Sequence, residues 1–244
     1  MAKMGTVWDR TAEFLGDNLG APLPVALLAF FVPASIEGSF QAAKAGGSPE
    51  LVLSLYFVQL AFGILSLWGS LTISAMALDV ASARGAGAIG RARLLPAPAG
   101  SVLLFAVMFV LVLPIPLALL ALLLWVGARL FVTNPVIVRE KRMFSALRQS
   151  WKLTRGMTWR IIGVILLFAL VSWVSMLAAN MVFGSIFALV AGGPAEGVTL
   201  AGVLTSIVVA AVQTGFTVLV PVFTAKLYLA LAADAGLREG AFRA

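Results

Sequence analysis

Five stretches of this chain carry no charged residue at all: 18–36, 51–78, 94–128, 161–195 and 197–225. A helix crossing a hydrocarbon core needs ~20 consecutive apolar residues at a rise of about 1.5 Å each, and every stretch is close to that or longer. Water offers no stable alternative. Apolar residues are 61% of the chain and charged ones 11%, too little polar surface to coat a soluble globule. The expected fold class is therefore all-α, a polytopic membrane protein.

Three stretches, and the first part of 161–195, read as one span each. Gly192-Gly193-Pro194 reads as a turn in the tail after Phe183. The 94–128 stretch continues to Val138 with only Arg129 interrupting, far too long for one crossing of a ~30 Å core. Leu113-Pro114-Ile115-Pro116 stands in its middle, where two prolines remove two backbone donors and restrict the residues before them. A tight hairpin there gives six transmembrane helices, near 20–38, 51–78, 99–114, 116–138, 160–183 and 198–230, in a single transmembrane domain over 1–244. Amphipathic interfacial helices are expected on the cytoplasmic side near 6–19 and 140–156.

Charge placement supports six spans over five. With six, every Lys and Arg except Lys44 falls on one side; with five, the eight basic residues of 129–160 move outside, against the positive-inside rule. Both termini are then cytoplasmic, and the external loops 38–50, 114–116 and 184–197 are too short for a further domain. Asp9, Glu13 and Asp17, with no small-residue cleavage pattern, argue that the first apolar segment is retained rather than cleaved. The net charge of +7 reflects these cytoplasmic segments and not nucleic-acid binding. A cytoplasmic segment precedes a hydrophobic hairpin three times, and Thr11-Ala12-Glu13-Phe14 before Val25-Ala26-Leu27-Leu28 loosely echoes Ser150-Trp151-Lys152-Leu153 before Val164-Ile165-Leu166-Leu167.

Without His or Cys, imidazole bases, thiolate nucleophiles and the usual zinc and haem ligands are unavailable. No nucleophile–base or paired-carboxylate pattern stands out, so no catalytic, cofactor or metal residue is assigned and a non-enzymatic role is expected. Gly85-Ala86-Gly87 reads as a flexible cytoplasmic loop and lacks the Lys-Ser/Thr ending of a phosphate-binding loop.

The densest signal is 139–159. At helical spacing Met143, Phe144, Leu147, Trp151 and Thr154 share one face while Lys141, Arg148, Lys152 and Arg155 share the opposite one, and Gly156 is placed to end the helix. Such a helix lies in the headgroup plane, each basic residue contributing ~1 kcal/mol near anionic lipid. Topological anchoring is the plain reading; a contact with anionic lipid or an acidic partner, through Arg129, Lys141, Arg148, Trp151, Lys152, Arg155 and Arg160, is the sharper one. Arg129 lies deeper on the fourth helix, where an ionised guanidinium costs at least ~2.5 kcal/mol unless it snorkels, bonds a helix end or meets a ligand. Asn134-Pro135 beyond it should kink that helix. Glu37, Gln59 and Asn180 fall toward the outer leaflet, Lys226 toward the inner, and Gln213 nearest the middle, the amides serving interhelical hydrogen bonds.

The strings Asn134-Pro135-Val136-Ile137-Val138-Arg139-Glu140 and Ala146-Leu147-Arg148-Gln149-Ser150-Trp151-Lys152-Leu153-Thr154-Arg155-Gly156, with Trp159-Arg160, resemble a bacterial membrane-domain family. It comprises glycerophosphoryl diester phosphodiesterase-associated membrane regions and YciC-like inner-membrane proteins. The resemblance implies a six-helix protein of the bacterial inner membrane. It transfers no catalytic residue, since a phosphodiesterase domain and its histidines are missing. The expected function is a non-enzymatic accessory, scaffold or lipid-associated subunit without cofactor, whose partners are anionic lipids of the cytoplasmic leaflet and other membrane proteins. A transporter or lipid-translocating protein with a cytoplasmic headgroup site is the alternative, and a membrane-embedded lipid enzyme the third.

Overall fold

A computed structural model describes residues 4–39, 49–94, 117–140, 143–191 and 199–236. Among these the chain is all-α, in nine helices: α1 Met4–Asn18, α2 Pro22–Ser39, α3 Pro49–Ala77, α4 Ala83–Arg93, α5 Leu117–Leu130, α6 Thr133–Glu140, α7 Met143–Leu153, α8 Thr158–Ala191 and α9 Leu200–Asp234. Within them, Pro22–Ser39, Ser54–Ala77, Thr158–Val190 and Leu200–Asp234 are long and apolar enough to cross a membrane, four rather than the six expected. The expected third span, 99–114, lies outside the described residues. The expected fourth, 116–138, is not one helix.

The break in that fourth segment follows from Pro135. Proline has no N–H, so the Phe131 carbonyl loses its donor four residues on. Phe131 and Val132 form a turn, and α6 restarts at Thr133 with Pro135 in its first turn, where no intrahelical donor is needed. The expected kink is thus a full interruption. Its first piece, α5, has 14 residues, about 21 Å of rise.

Pro33 acts differently. It frees the Ala29 carbonyl, the helix widens into a π-turn over Leu27–Phe31, and the Ser66 hydroxyl of α3 donates to Ala29 O at 3.0 Å. The two helices meet this closely because α3 has Gly69 opposite, where a Cβ would overlap Ala29 and crowd the Phe30 ring.

Two boundaries differ from expectation. The 160–183 span continues to Ala191, so 184–191, read as loop, is helix, with Gly184 packed beside Thr205 of α9. Gly85-Ala86-Gly87 is not a loop but part of α4. Its small residues let α4 dock on α3: Trp68 Nε1 donates to Gly87 O at 3.1 Å, and a Cβ at Gly90 would overlap the Thr72 hydroxyl.

The core lies at one end of the long helices. The C-terminal halves of α3 and α9, the start of α8, and α6 bury Leu71, Ile73, Ile137, Ile161, Phe223 and Tyr228 against one another. Trp8 of α1 stacks on Phe168 at 5.0 Å and meets Phe223 at 5.2 Å, fastening α1 to α8 and α9. The basic residues collect at this same end: Lys226 Nζ sits 4.6 Å from the Phe14 ring and Arg139 5.8 Å from the Tyr228 ring. Away from it α8 is largely bare, with Leu167, Leu170, Trp173 and Met181 exposed, as side chains facing lipid would be.

Candidate functional site

The interruption after α5 leaves its last carbonyls without intrahelical donors. α7 crosses this end and supplies a donor to one of them, Arg129 O. Ser150 Oγ donates to Arg129 O at 2.8 Å, and Thr154 Oγ1, which lies 2.8 Å from Ser150 O, also lies 3.2 Å from Arg129 O. One hydroxyl proton serves one carbonyl at a time, so Ser150 is the main cap. The Arg129 side chain returns the contact: Nη1 donates to Trp151 O, in the last turn of α7, at 3.3 Å. A cation at a helix C-terminus also meets the negative end of its dipole. The guanidinium lies against two indoles, 5.0 Å from the Trp125 ring and 5.3 Å from the Trp151 ring, and those rings meet each other edge-on at 5.2 Å. Arg129 Nε is buried without a partner among the described residues. Arg129 and Trp151 thus bind two helix ends to each other.

The buried seam of α7 is Ala146 and Ser150, continued by Thr154 in the turn just past its end. The expected apolar face holds in part: Thr154 is buried, Trp151 is 39% exposed, Leu147 is only partly covered, and the side chains of Met143 and Phe144 lie outside the described ones, while the small and hydroxylated Ala146 and Ser150 face inward. Close crossing of α5 requires small side chains there, and the hydroxyls are needed for its open carbonyls. The helix ends at Leu153, and Gly156 takes φ +90, a left-handed conformation that costs glycine little.

Arg148, Lys152 and Arg155 converge on a cleft of ≈ 680 Å³ between the end of α7, the turn after it and the end of α9. Leu153, Met157 and Leu231 give it an apolar floor, and Asp234 is the one carboxylate on its rim among the described residues. The three cations are exposed. Arg160 is exposed on the first turn of α8 beside Trp159, which is 81% exposed and suited to an interfacial position. Lys141 lies outside the described residues. The seven candidates therefore separate: Arg148, Lys152 and Arg155 share a cleft, Arg129 and Trp151 form a structural joint, and Arg160 stands apart from both.

The sequence reading missed Ser150, Thr154 and Trp125, whose roles depend on where α5 breaks. It also missed Asp234 and the apolar floor from α9, since nothing in the order of residues pairs 148–157 with 231–235.

Residues 20–231 match the family model described as Domain of unknown function (DUF7847). Neither the comparison with curated proteins nor that with solved structures gave a match. The matched region takes in three of the four long apolar helices, the fourth as far as residue 231, the α5–α7 joint and the three cations of the cleft; the chain belongs to the DUF7847 family.

Proposed function

We propose that this protein is a non-enzymatic, lipid-associated accessory protein of the bacterial inner membrane, with six spans, cytoplasmic termini and an anionic headgroup held in the α7–α9 cleft. The observation that carries this reading is the convergence of Arg148, Lys152 and Arg155 over the apolar floor of Leu153, Met157 and Leu231. Three cations against one rim carboxylate leave a positive excess suited to a phosphate, and the floor suits the glycerol and upper acyl carbons beneath it. The resemblance of 134–160 to bacterial inner-membrane domains supports the location, as does the gathering of basic residues at one end of the bundle. The engagement of Arg129 with Trp151 O and two indoles favours this reading over a translocating protein in which Arg129 would hold cargo.

The test is lipid retention. Purified protein is exchanged into nanodiscs containing phosphatidylglycerol and phosphatidylcholine, and bound lipid is counted by native mass spectrometry. Phosphatidylglycerol should be retained selectively, and Arg148→Gln/Lys152→Gln/Arg155→Gln should lower its retention by about two orders of magnitude, at ~1 kcal/mol per cation. The difference should shrink in high salt, because exposed charges are screened. Equal retention by the triple variant and the parent would sink the reading.

A further inference from the structure

Arg148, Lys152 and Arg155 share the α7–α9 cleft without sharing one point in it. Arg148 and Lys152 stand one turn apart on α7, about 6 Å along its axis. Arg155 lies past the helix end at Leu153, in the turn that leads to Gly156. The cations thus follow one another along the cleft wall, an arginine at each end and the lysine between. Their side chains make no hydrogen bond or ion pair with another described residue. Even with Asp234 counted in full, the described lining has three positive charges less one negative, an excess of two. The apolar floor of Leu153, Met157 and Leu231 runs beneath the row. Trp151 and Trp159, 39% and 81% exposed, flank it in sequence and suit the level of the headgroups.

A phosphodiester with one negative charge neutralises only half of that excess. To meet all three cations it would have to gather them about one phosphorus against their mutual repulsion. Two phosphates on a short linker neutralise the excess in full and leave the cations a turn apart. The chemistry of the row matches this division. A guanidinium grips one phosphate with two parallel N–H bonds, whereas an ammonium acts as a point charge that two neighbours can share. The volume matches as well: ≈ 680 Å³ falls within the ~300–1,000 Å³ of sites that enclose whole small molecules. Basic pockets beside membrane helices on the cytoplasmic side are suited to headgroups with more than one phosphate.

On the reading of this cleft as an anionic-lipid site, we propose that its headgroup carries two phosphates. Arg148 takes one, Arg155 takes the other and Lys152 lies between them, so the cleft selects diphosphatidylglycerol over phosphatidylglycerol.

Full-length protein is placed in phosphatidylcholine nanodiscs containing the two anionic lipids at equal phosphate, and retained lipid is counted by native mass spectrometry. The parent should prefer the two-phosphate lipid by roughly tenfold or more. Arg148→Gln and Arg155→Gln should each bring that preference below about threefold, while phosphatidylglycerol retention itself falls only about fivefold. A preference that came from four acyl chains would survive both substitutions. Phosphatidic acid, whose single phosphate has about two negative charges near neutral pH, separates charge from spacing and should not match the two-phosphate lipid. Arg160→Gln, exposed and apart from the cleft, should keep the preference. The three cleft cations are exposed, so their replacement leaves the fold intact, which an unchanged melting temperature checks. The proposal is overturned, with the anionic-lipid reading intact, if phosphatidylglycerol is retained through the three cations and the two-phosphate lipid is not preferred. It is overturned equally if the preference survives both arginine substitutions or if phosphatidic acid matches it. If the parent retains neither lipid, or Arg148→Gln/Lys152→Gln/Arg155→Gln retains both as the parent does, the anionic-lipid reading fails with it.

Discussion

Arg129 is the one charged residue between Arg93 and Arg139. An arginine inside an apolar stretch is a functional candidate by default, and its neighbours in sequence are Ala128 and Leu130. What gives it a structural role comes from residues more than twenty positions away: Ser150 and Thr154 at its carbonyl, and the carbonyl and ring of Trp151 at its guanidinium. Such a joint depends on two helix ends crossing, and no local pattern announces it. Its energetics are testable. Ser150→Ala removes the main donor to Arg129 O and leaves Thr154 shared between two acceptors, which should cost about 1–3 kcal/mol of stability, measured by unfolding in detergent. Arg129→Lys keeps the charge but loses the planar group that lies against both indoles. It should destabilise the protein comparably while leaving anionic-lipid retention at the cleft unchanged. A loss of retention with unchanged stability would instead return Arg129 to the binding site.

Elements were legible where one apolar run makes one helix, and less so where a proline acts. The expected 20–38, 51–78 and 198–230 appear as Pro22–Ser39, Pro49–Ala77 and Leu200–Asp234. The chain has prolines at 33, 135 and 221 in or beside helices, and their consequences differ: a π-turn, an interruption, and a continuous helix through Pro221. The missing N–H is common to all three, so the difference comes from the surroundings. Ser66 takes over the carbonyl freed by Pro33, whereas near Pro135 the chain restarts a helix under the cover of α7. Glycines mislead for a related reason. Gly85 and Gly87 look like loop formers, yet both lie in α4, where Gly87 O accepts from Trp68 and the missing side chain of Gly90 permits docking against Trp68 and Thr72. The close crossing at Gly69 gives the prediction for this scale. Gly69→Val places a branched side chain where even a Cβ overlaps Ala29, and neither helix backbone can give way cheaply. Such overpacking should cost about 1–3 kcal/mol, seen as a lower melting temperature. Gly63→Val, at a position with open space around it, should leave the melting temperature nearly unchanged.

For the whole molecule the informative quantity is parity. Four described spans and six expected ones both put the ends of α3 and α9 and the start of α8 on one side, and that is the end where the core and the basic residues lie. Five spans would divide them. The gathering of charge at one end therefore agrees with any even number, and the choice between four and six rests on the segment around Pro114 and Pro116. α5 alone, at about 21 Å, falls short of a ~30 Å core, so a crossing there needs the residues before Leu117. Because the chain has no cysteine, single substitutions report side by side without background. Val80→Cys and Ala235→Cys should react with a membrane-impermeant maleimide only from the cytoplasmic side, and Leu200→Cys only from the opposite one. Ile115→Cys decides the count: six spans require it to react from the same side as Leu200→Cys. Reaction of Ile115→Cys from the side of Val80→Cys would leave four crossings, and 94–138 would then be a segment that enters the membrane without traversing it.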